Sequence, residues 1–408
     1  MEVLQPKTRF PEFNVNSSQY QKHLFKDIFD FSTGKNIKQK EASPEFENPC
    51  VRYGELYHMY NEVITKVINS TNLDKSELVF SDGNEILLPS AGEDPLDIGS
   101  ASALTVKNVA IGRTINILKP LKDNIYNQIY ASYYINHKLR KKISSLAKGV
   151  SISNVYNSDL KTLEIILPSL LEQNKLAKFL LSVDEKLNLL KEKKILLEEF
   201  KKGIIQKIFN QELRFKNDDG NDYVNWDEKC LGDILIKNSR KNKNLIVTYV
   251  ESISNKFGFV SQDDFFDSNN IASKNLSNYY VIENGFFAYN PSRINVGSLA
   301  YKNDNKTSVI SPLYISFKTK NEVNDIFLLN YFDTLNFVNQ MNASFEGSVR
   351  NTLSYESLIK IKISLPCRQE QTKIAIFLSA IDKKIDLVSN QIQDNQEYKI
   401  GLLQQMFI

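Results

Sequence analysis

A long internal repeat constrains the fold of this chain more than any other feature. Residues 167–209 and 365–407 align without a gap at an offset of 198. The identical positions include a leucine-proline pair, a glutamate-glutamine pair and a final phenylalanine: Leu167/Leu365, Pro168/Pro366, Glu172/Glu370, Gln173/Gln371, Lys175/Lys373, Ala177/Ala375, Phe179/Phe377, Asp184/Asp382, Gly203/Gly401, Gln206/Gln404 and Phe209/Phe407. Such self-similarity predicts two half-molecules of one design.

A fainter second repeat lies near the front of each half. Phe25-Lys26-Asp27-Ile28 is similar to Leu231-Gly232-Asp233-Ile234, at an offset of 206. The segments between these short motifs and the long repeats barely resemble each other. The contrast suggests two scaffolding elements with one task and two domains that recognise different targets.

The long repeats have the periodicity of paired helices. Apolar residues recur every seven positions, interrupted once by asparagine: Leu176, Val183, Leu190, Leu197 and Ile204 in the first copy, and Ile374, Ile381, Val388, Asn395 and Leu402 in the second. A seven-residue period held over five positions predicts a supercoiled pair, here antiparallel because a whole domain separates the copies. Each helix would be about 60 Å long. The alternative is that each helix covers its own domain, and Asn395 either sets the register or lies at a solvated end.

The remaining chain mixes short β-rich runs with helical runs, which predicts an α+β class. We expect two globular α/β-mixed domains, separated by the two long antiparallel coiled-coil helices and related by a pseudo-twofold repeat. The predicted boundaries are residues 1–167 for the first globular domain, 168–210 for the first helix, 211–365 for the second domain and 366–408 for the second helix.

The charge balance directs attention to local clusters. The chain has 51 Lys and Arg against 48 Asp and Glu, a net charge of +3, which is far from the balance of a strongly basic nucleic-acid binder. Both globular domains nevertheless contain basic and amide clusters of the kind that contact phosphates and base edges. The candidate DNA-binding residues are Lys35, Lys38, Arg113, Lys138, Arg140, Lys141, Lys142, Lys237, Arg240, Lys241, Lys243, Asn290, Arg293 and Arg350.

The motifs of catalysis and metal binding are absent from the sequence. Three cysteines and three histidines lie far apart, which argues against a metal site or a disulfide framework. The nearest approach to an amino-methyltransferase motif, Asn290-Pro291-Ser292, lacks the second proline, and Gly34-Lys35 lacks the upstream glycine of a phosphate-binding loop. We therefore predict a non-catalytic, metal-free binding protein of the cytoplasm, with no membrane partner.

Taken together, the motifs resemble the specificity (S) subunit of type I restriction–modification enzymes. The resemblance covers the whole chain and depends on the order and double occurrence of modest motifs. These are the N-terminal run Pro6–Phe13, the pairs Leu167-Pro168 with Glu172-Gln173 and Leu365-Pro366 with Glu370-Gln371, the helix ends Gln206–Phe209 and Gln404–Phe407, and Trp226 followed by Leu231–Ile234.

The resemblance implies a division of labour between subunits. Two target-recognition domains would each read one half of a split, asymmetric sequence in double-stranded DNA, and the helices would set the spacing. Two methyltransferase (M) subunits would dock on the helices, and restriction/translocase (R) subunits would join them. S-adenosylmethionine, ATP and Mg would be used by those partners, so that this chain binds no cofactor. The alternatives are a coiled-coil adaptor that binds no nucleic acid and, less favoured, a self-sufficient methylase-nuclease.

Overall fold

The computed structural model describes residues 5–14, 20–149, 152–262, 275–345 and 351–408. The chain divides into two compact units. Unit 1 combines Met1–Leu190 with Gln391–Ile408, and unit 2 is Lys191–Asn390. Each unit therefore contains one globular domain, the first part of the long helix that follows it and the last part of the other long helix.

Unit 1 is built from short strands and helices that lead into one long helix. Its strands are β1 Gln21–Leu24, β2 Phe29–Thr33, β3 Asn48–Val51, β4 Val63–Ile64, β5 Asn69–Thr71, β6 Glu85–Pro89, β7 Ala91–Gly92, β8 Ser102–Leu104, β9 Ala110–Ile111, β10 Ile115–Pro120, β11 Ser153–Asn154 and β12 Glu164–Leu167. Its helices are α1 Pro11–Asn14, α2 Phe25–Ile28, α3 Tyr53–His58, α4 Pro95–Ile98, α5 Gln128–Tyr134, α6 Arg140–Ser145, α7 Asn157–Leu160 and α8 Leu170–Phe209, which continues into unit 2. A π-helical turn, Ile135–Leu139, joins α5 to α6.

Unit 2 repeats this plan with fewer strands. They are β13 Asp227–Cys230, β14 Leu235–Lys237, β15 Val250–Ser254, β16 Gly258–Ser261, β17 Tyr280–Ile282, β18 Phe286–Tyr289, β19 Leu299–Tyr301, β20 Ser308–Ile310, β21 Ile315–Thr319 and β22 Lys362–Leu365. The helices are α9 Leu231–Ile234, α10 Asp325–Tyr331, α11 Leu335–Ala343, α12 Tyr355–Leu358 and α13 Arg368–Met406, which ends in unit 1.

Each unit has a central sheet of its own. In unit 1 its strand order is β2-β10-β6-β8-β4, and in unit 2 the order is β14-β21-β18-β19. The first strand of each sheet directly follows the short helix of the fainter sequence repeat, α2 or α9. That repeat therefore marks the same structural position twice.

The two ends of each central sheet have different neighbours. At one end, α2 and α9 connect the sheet to the antiparallel pairs β1–β12 and β13–β22, which lead into the long helices. The opposite end lies where β2 and β6 finish and β10 begins, as the pairs Thr33–Asn116 and Pro89–Ile115 show. In unit 2 it is marked by Lys237–Phe317 and Tyr289–Ile315. We call this second end, away from the helix start, the distal end.

The long helices pack against each other antiparallel within each unit. In unit 1, the core that contains Leu176 and Leu180 also contains Leu403 and Met406. In unit 2, Ile205 and Ile208 share a core with Ile374 and Leu378. The ion pairs Asp184–Lys399 and Lys201–Asp382, at 2.7 and 2.6 Å, each join the first half of one helix to the second half of the other, as an antiparallel pair requires. The predicted fold class is therefore confirmed.

The predicted seam residues differ in burial along the pair. The buried ones are Leu176, Val183, Ile374, Ile381 and Val388, and the partly buried ones are Leu190, Leu197, Ile204, Asn395 and Leu402. Asn395 donates from Nδ2 to the Gln391 carbonyl of its own helix, at 2.6 Å.

Candidate DNA interface

A buried glutamate anchors the start of each long helix. Glu172 is 1% exposed and accepts two hydrogen bonds from the Arg9 guanidinium, at 2.8 and 2.7 Å, and one from the Tyr20 hydroxyl. Glu370 is fully buried and accepts two from Arg214, at 2.8 and 2.9 Å. A planar guanidinium matches a carboxylate in this bidentate geometry. Hydrogen bonding to the glutamate raises the pKa of both arginines against the opposing effect of burial.

The glutamine beside each glutamate connects the helix to its globular domain. Gln173 Oε1 accepts from the backbone N–H of Asn127, and Gln371 Oε1 accepts from that of Asn324, at 2.8 and 2.7 Å. Both asparagines cap the following helix, α5 or α10, by accepting a backbone N–H with their side chains. The repeated Glu-Gln pair thus fixes the orientation of each domain on the helix that begins there.

The far end of each long helix inserts a phenylalanine into an aromatic site of the same design. Phe407 lies 5.2 Å from the Tyr130 ring and 6.0 Å from that of Tyr134. Phe209 lies 4.9 Å from the Phe327 ring and 5.8 Å from that of Tyr331. These contacts bury the last turn of each helix in a unit where the other helix begins.

In unit 1, the distal end of the central sheet carries a tightly held basic loop. Gly34 follows β2, and a Cβ atom there would lie 2.0 Å from the Gly112 carbonyl oxygen, so only glycine permits this approach. Lys35 N donates to Ile111 O, and Arg113 N donates to Asn36 O, each at 3.0 Å. Predicted residues that are far apart in sequence, Lys35 and Arg113, are therefore brought together.

The same loop has an unusual backbone. Asn36, Ile37 and Thr114 adopt left-handed conformations, with φ of 49°, 54° and 68°. Such conformations are costly for β-branched residues and persist only where the surroundings hold them. The Asn36 side chain donates to Glu77 O at 2.8 Å, which is one such restraint. Strain concentrated at an exposed basic loop is a feature of functional surfaces.

In unit 2, the distal end is built from two other loops. The first follows β14 and is held by buried asparagines: Asn238 Nδ2 donates to Val281 O, and Asn242 Nδ2 donates to Val247 O. The second follows β18, where Asn290 Oδ1 accepts the N–H of Ser292. Arg293 N donates to Asn290 O at 3.0 Å. The predicted cluster at 237–243 and the Asn290–Arg293 turn thus lie at one end of the sheet.

The structure separates the predicted cations into engaged and unengaged groups. Arg140 donates to Leu96 O, Lys237 to Glu356, Arg240 to Glu283 and Lys241 to Asn278 O while covering the Tyr280 ring at 3.6 Å. In the described part of the chain, the remaining head groups donate to no protein acceptor: Lys35, Lys38, Arg113, Lys141, Lys142, Lys243 and Arg293. Arg350 lies outside the described residues.

The cluster at 138–142 lies in a helical segment and not in a loop. It spans the π-helical turn and α6, with Lys138 and Arg140 partly buried and Lys141 and Lys142 exposed. Burial and the nearby Lys7 lower the pKa of Lys138. Its charges are thus spread along a helix rather than gathered on one loop.

Sequence reasoning missed one repeated element. Arg9-Phe10 and Arg214-Phe215 recur at an offset of 205, and both arginines bind the anchoring glutamates. Phe10 and Phe215 also pack on Phe179 and Phe377, at 5.7 and 5.5 Å between ring centres. Extending the self-comparison upstream of the globular domains would have found this pair.

The described residues contain no group of three or more His, Cys, Asp or Glu arranged to hold a metal ion. No helix in the described ranges is long and apolar enough to cross a membrane.

Comparisons with known proteins agree with this architecture. The type I restriction modification DNA specificity domain family matches residues 18–199 and again residues 223–395. A crystal structure of a type I restriction-modification S subunit from M. genitalium aligns with 99% of this chain and 99% of its own, with a TM-score of 0.62 and 18% identity. A chain from a structural study of complex assembly and conformational transition of the type I R-M system covers 95% of this chain and 97% of its own, with a TM-score of 0.53 and 13% identity.

The fold and the duplicated match define a two-domain DNA-specificity protein. The chain belongs to the family of type I restriction–modification specificity subunits, as the sequence resemblance predicted. A subunit of this kind works with DNA and with other restriction–modification subunits, and the adaptor alternative is not favoured.

Proposed function

We propose that each unit reads one half of a bipartite, asymmetric DNA sequence with the distal end of its central sheet. The supporting observation is that both sheets carry basic loops at this end, although the loops differ completely in sequence and length. Phosphate contacts need only positive charge, whereas base contacts depend on individual side chains. Equivalent position with different loops therefore supports two readers of different sequences.

We further propose that the long helices determine the spacing between the half-sites. Helix α8 has 40 residues and α13 has 39, so each extends about 60 Å at about 1.5 Å per residue. The anchoring glutamate and glutamine hold each domain rigidly at a helix start. A helical separator anchored in this way transmits a change in its length directly to the readers.

Two methyltransferase subunits would dock on repeated apolar positions of the helices. Leu189 and Leu387 are 58% and 59% exposed, and Phe200 and Tyr398 are 51% and 52% exposed. Each pair is related by the offset of 198, so two identical partners would find equivalent positions. Exposed apolar side chains at matched positions favour protein docking over simple solvation.

In this assignment the chain itself performs no catalysis. S-adenosylmethionine, ATP and Mg would be bound by the methyltransferase and restriction/translocase subunits, and the complex would act on double-stranded DNA in the cytoplasm. The chain would supply only recognition and geometry.

The central test is methylation mapping in cells that express the chain with its methyltransferase partner. We expect modified adenines in a split, asymmetric motif, and purified complex should bind that DNA with an affinity that falls steeply with salt. Replacing residues 14–160 by those of another member should change one half-site only. A change in both half-sites, or a complex indifferent to DNA, would contradict the assignment.

Spacing is tested separately by lengthening both helices. Seven residues inserted after Leu190 and seven after Val388 preserve the seven-residue repeat and lengthen each helix by about 10 Å. We expect the spacer to grow by about three base pairs while both half-sites stay unchanged. A control insertion in α8 alone breaks the pairing and should abolish assembly. Altered half-sites with an unaltered spacer would refute the spacing role.

A further inference from the structure

The nine arginines of the chain have very different surroundings. Arg9 and Arg214 bind the anchoring glutamates, Arg52 pairs with Glu55, Arg140 donates to Leu96 O and Arg240 donates to Glu283. Arg368 begins helix α13, and Arg350 lies outside the described residues. The two that remain are Arg113 in unit 1 and Arg293 in unit 2, one in each globular domain.

Arg113 is exposed at the distal end of the unit 1 sheet. It sits between Gly112, whose carbonyl lies against Gly34, and Thr114, whose φ is 68°. Its backbone N–H is held by Asn36 O, and the next strand begins two residues later at Ile115. The base of the side chain is therefore rigid, while the guanidinium donates to no protein acceptor in the described chain.

Arg293 has an equivalent situation in unit 2, on a loop of different origin. It is exposed, its N–H is held by Asn290 O, and it precedes the 3₁₀ turn Ile294–Val296 without a capping bond from its side chain. The carbonyl of Pro291, two residues before Arg293, accepts the N–H of Leu353, which ties this turn to the residues that lead into α12. Its guanidinium also has no protein acceptor within the described ranges.

We propose that Arg113 and Arg293 are base-reading residues, and that each recognises a guanine in the half-site bound by its own unit. This inference rests on the proposed function and extends it to particular bases. An arginine fork donates two parallel hydrogen bonds to O6 and N7 of guanine, the commonest specific contact in the major groove. That contact requires a fixed backbone and an uncommitted guanidinium, and among the residues that the structure describes each of these two arginines combines both. The neighbouring Lys35, Lys38 and Lys243 are the phosphate contacts.

Lysine substitution distinguishes a base contact from a phosphate contact. Lysine keeps the charge but lacks the planar fork, so it restores a phosphate contact fully and a guanine contact only in part. The proteins are the Arg113→Lys, Arg113→Ala, Arg293→Lys and Arg293→Ala variants of the chain in complex with its methyltransferase. Lys122→Ala serves as the control, because Lys122 is an exposed cation beyond the other end of the unit 1 sheet.

The measurement is the methylation motif of each complex together with its affinity for DNA substituted at each guanine. For Arg113→Ala we expect discrimination at one guanine of the first half-site to fall by about tenfold or more, and for Arg113→Lys by a smaller factor, with the other half-site unchanged. The Arg293 variants should show the mirror result, and the control should match wild type. Equal melting temperatures would confirm that each variant is folded.

Two outcomes would overturn the inference. One is an unchanged motif with uniformly weakened binding that lysine restores, which would make the arginine a phosphate contact. The other is a half-site that contains no guanine, or a motif and affinity that do not respond to either substitution. Failure of the proposed function itself would look different, because the wild-type complex would then show no bipartite motif.

Discussion

The same ion pair has different surroundings in the two units. Lys399–Asp184 in unit 1 and Lys201–Asp382 in unit 2 are related by the offset of 198, and both connect the long helices. In unit 1 the pair is covered: Lys399 also binds Glu62 at 3.1 Å, and the Tyr133 hydroxyl donates to Asp184. In unit 2 the pair borders an open cleft of about 400 Å³.

The difference arises in the globular domains and not in the helices. Asn330 stands at the position equivalent to Tyr133, and its Nδ2 bonds to Ile326 O of its own helix. The repeated helices thus supply the same charges, and the side chains of each globular domain determine how far those charges are exposed to water. Identical residue pairs can therefore contribute quite different amounts to stability.

The largest expected effect concerns the arginine–glutamate anchor, which is the same in both units. Arg9→Ala and Arg214→Ala each leave a buried glutamate without its cation, so both should lower the free energy of unfolding by about 3 kcal/mol or more. Chemical denaturation measures this loss, with Lys122→Ala as the matched surface control. A loss below about 1 kcal/mol in one unit alone would show that the two anchors are not equivalent.

The next largest effect should differ between the two units. Lys399→Met leaves Asp184 and Glu62 without a cation in a site where the lysine side chain is 15% exposed, and we expect a loss of about 2 kcal/mol. Lys201 is almost as buried, at 19%, but its partner Asp382 is 44% exposed against 21% for Asp184. Lys201→Met should therefore cost less, about 1 kcal/mol. Denaturation of both variants in low and high salt tests this. Equal losses would refute the role assigned to the covering residues.

A smaller effect tests the cover itself. Tyr133→Phe removes the hydroxyl that donates to Asp184 and should cost about 1 kcal/mol. The matched change in unit 2 is Asn330→Leu, which deletes a buried Oδ1 that has no partner among the described groups. It should be neutral or slightly stabilising. The check is the melting temperature of each variant. A larger decrease for Asn330→Leu than for Tyr133→Phe would contradict the comparison.

The smallest effect is a pH dependence confined to unit 1. Burial and the nearby Lys138 lower the pKa of His137, whose ring lies 6.2 Å from Phe407. The unfolded state then binds more protons near pH 6, so stability should rise with pH through that range and fall on acidification. Unit 2 has the buried Thr334 at this position. His137→Asn should flatten the melting temperature between pH 5.5 and 7.5. An equally steep profile in the variant would assign the titration elsewhere.

The sequence allowed the helices and the duplication to be predicted because their signals are local. A seven-residue period and an ungapped repeat are visible without knowledge of any partner residue. The distal ends were not predictable, since they depend on register between strands far apart, such as Ile115 with Pro89. The uses of Arg140 and Arg240 were hidden for the same reason: their acceptors, Leu96 and Glu283, lie 44 and 43 residues away.

The discontinuous make-up of each unit has a consequence for transplanting specificity between relatives. The segment proposed to read DNA is continuous, but the unit that folds is not, because the aromatic site formed by Tyr130 and Tyr134 receives Phe407 from the opposite end of the chain. A donor domain must bring a compatible receptor for that residue as well as its own reading loops. A transplanted domain that lacks an aromatic site for Phe407 would therefore fail to pack, whatever DNA sequence it recognises.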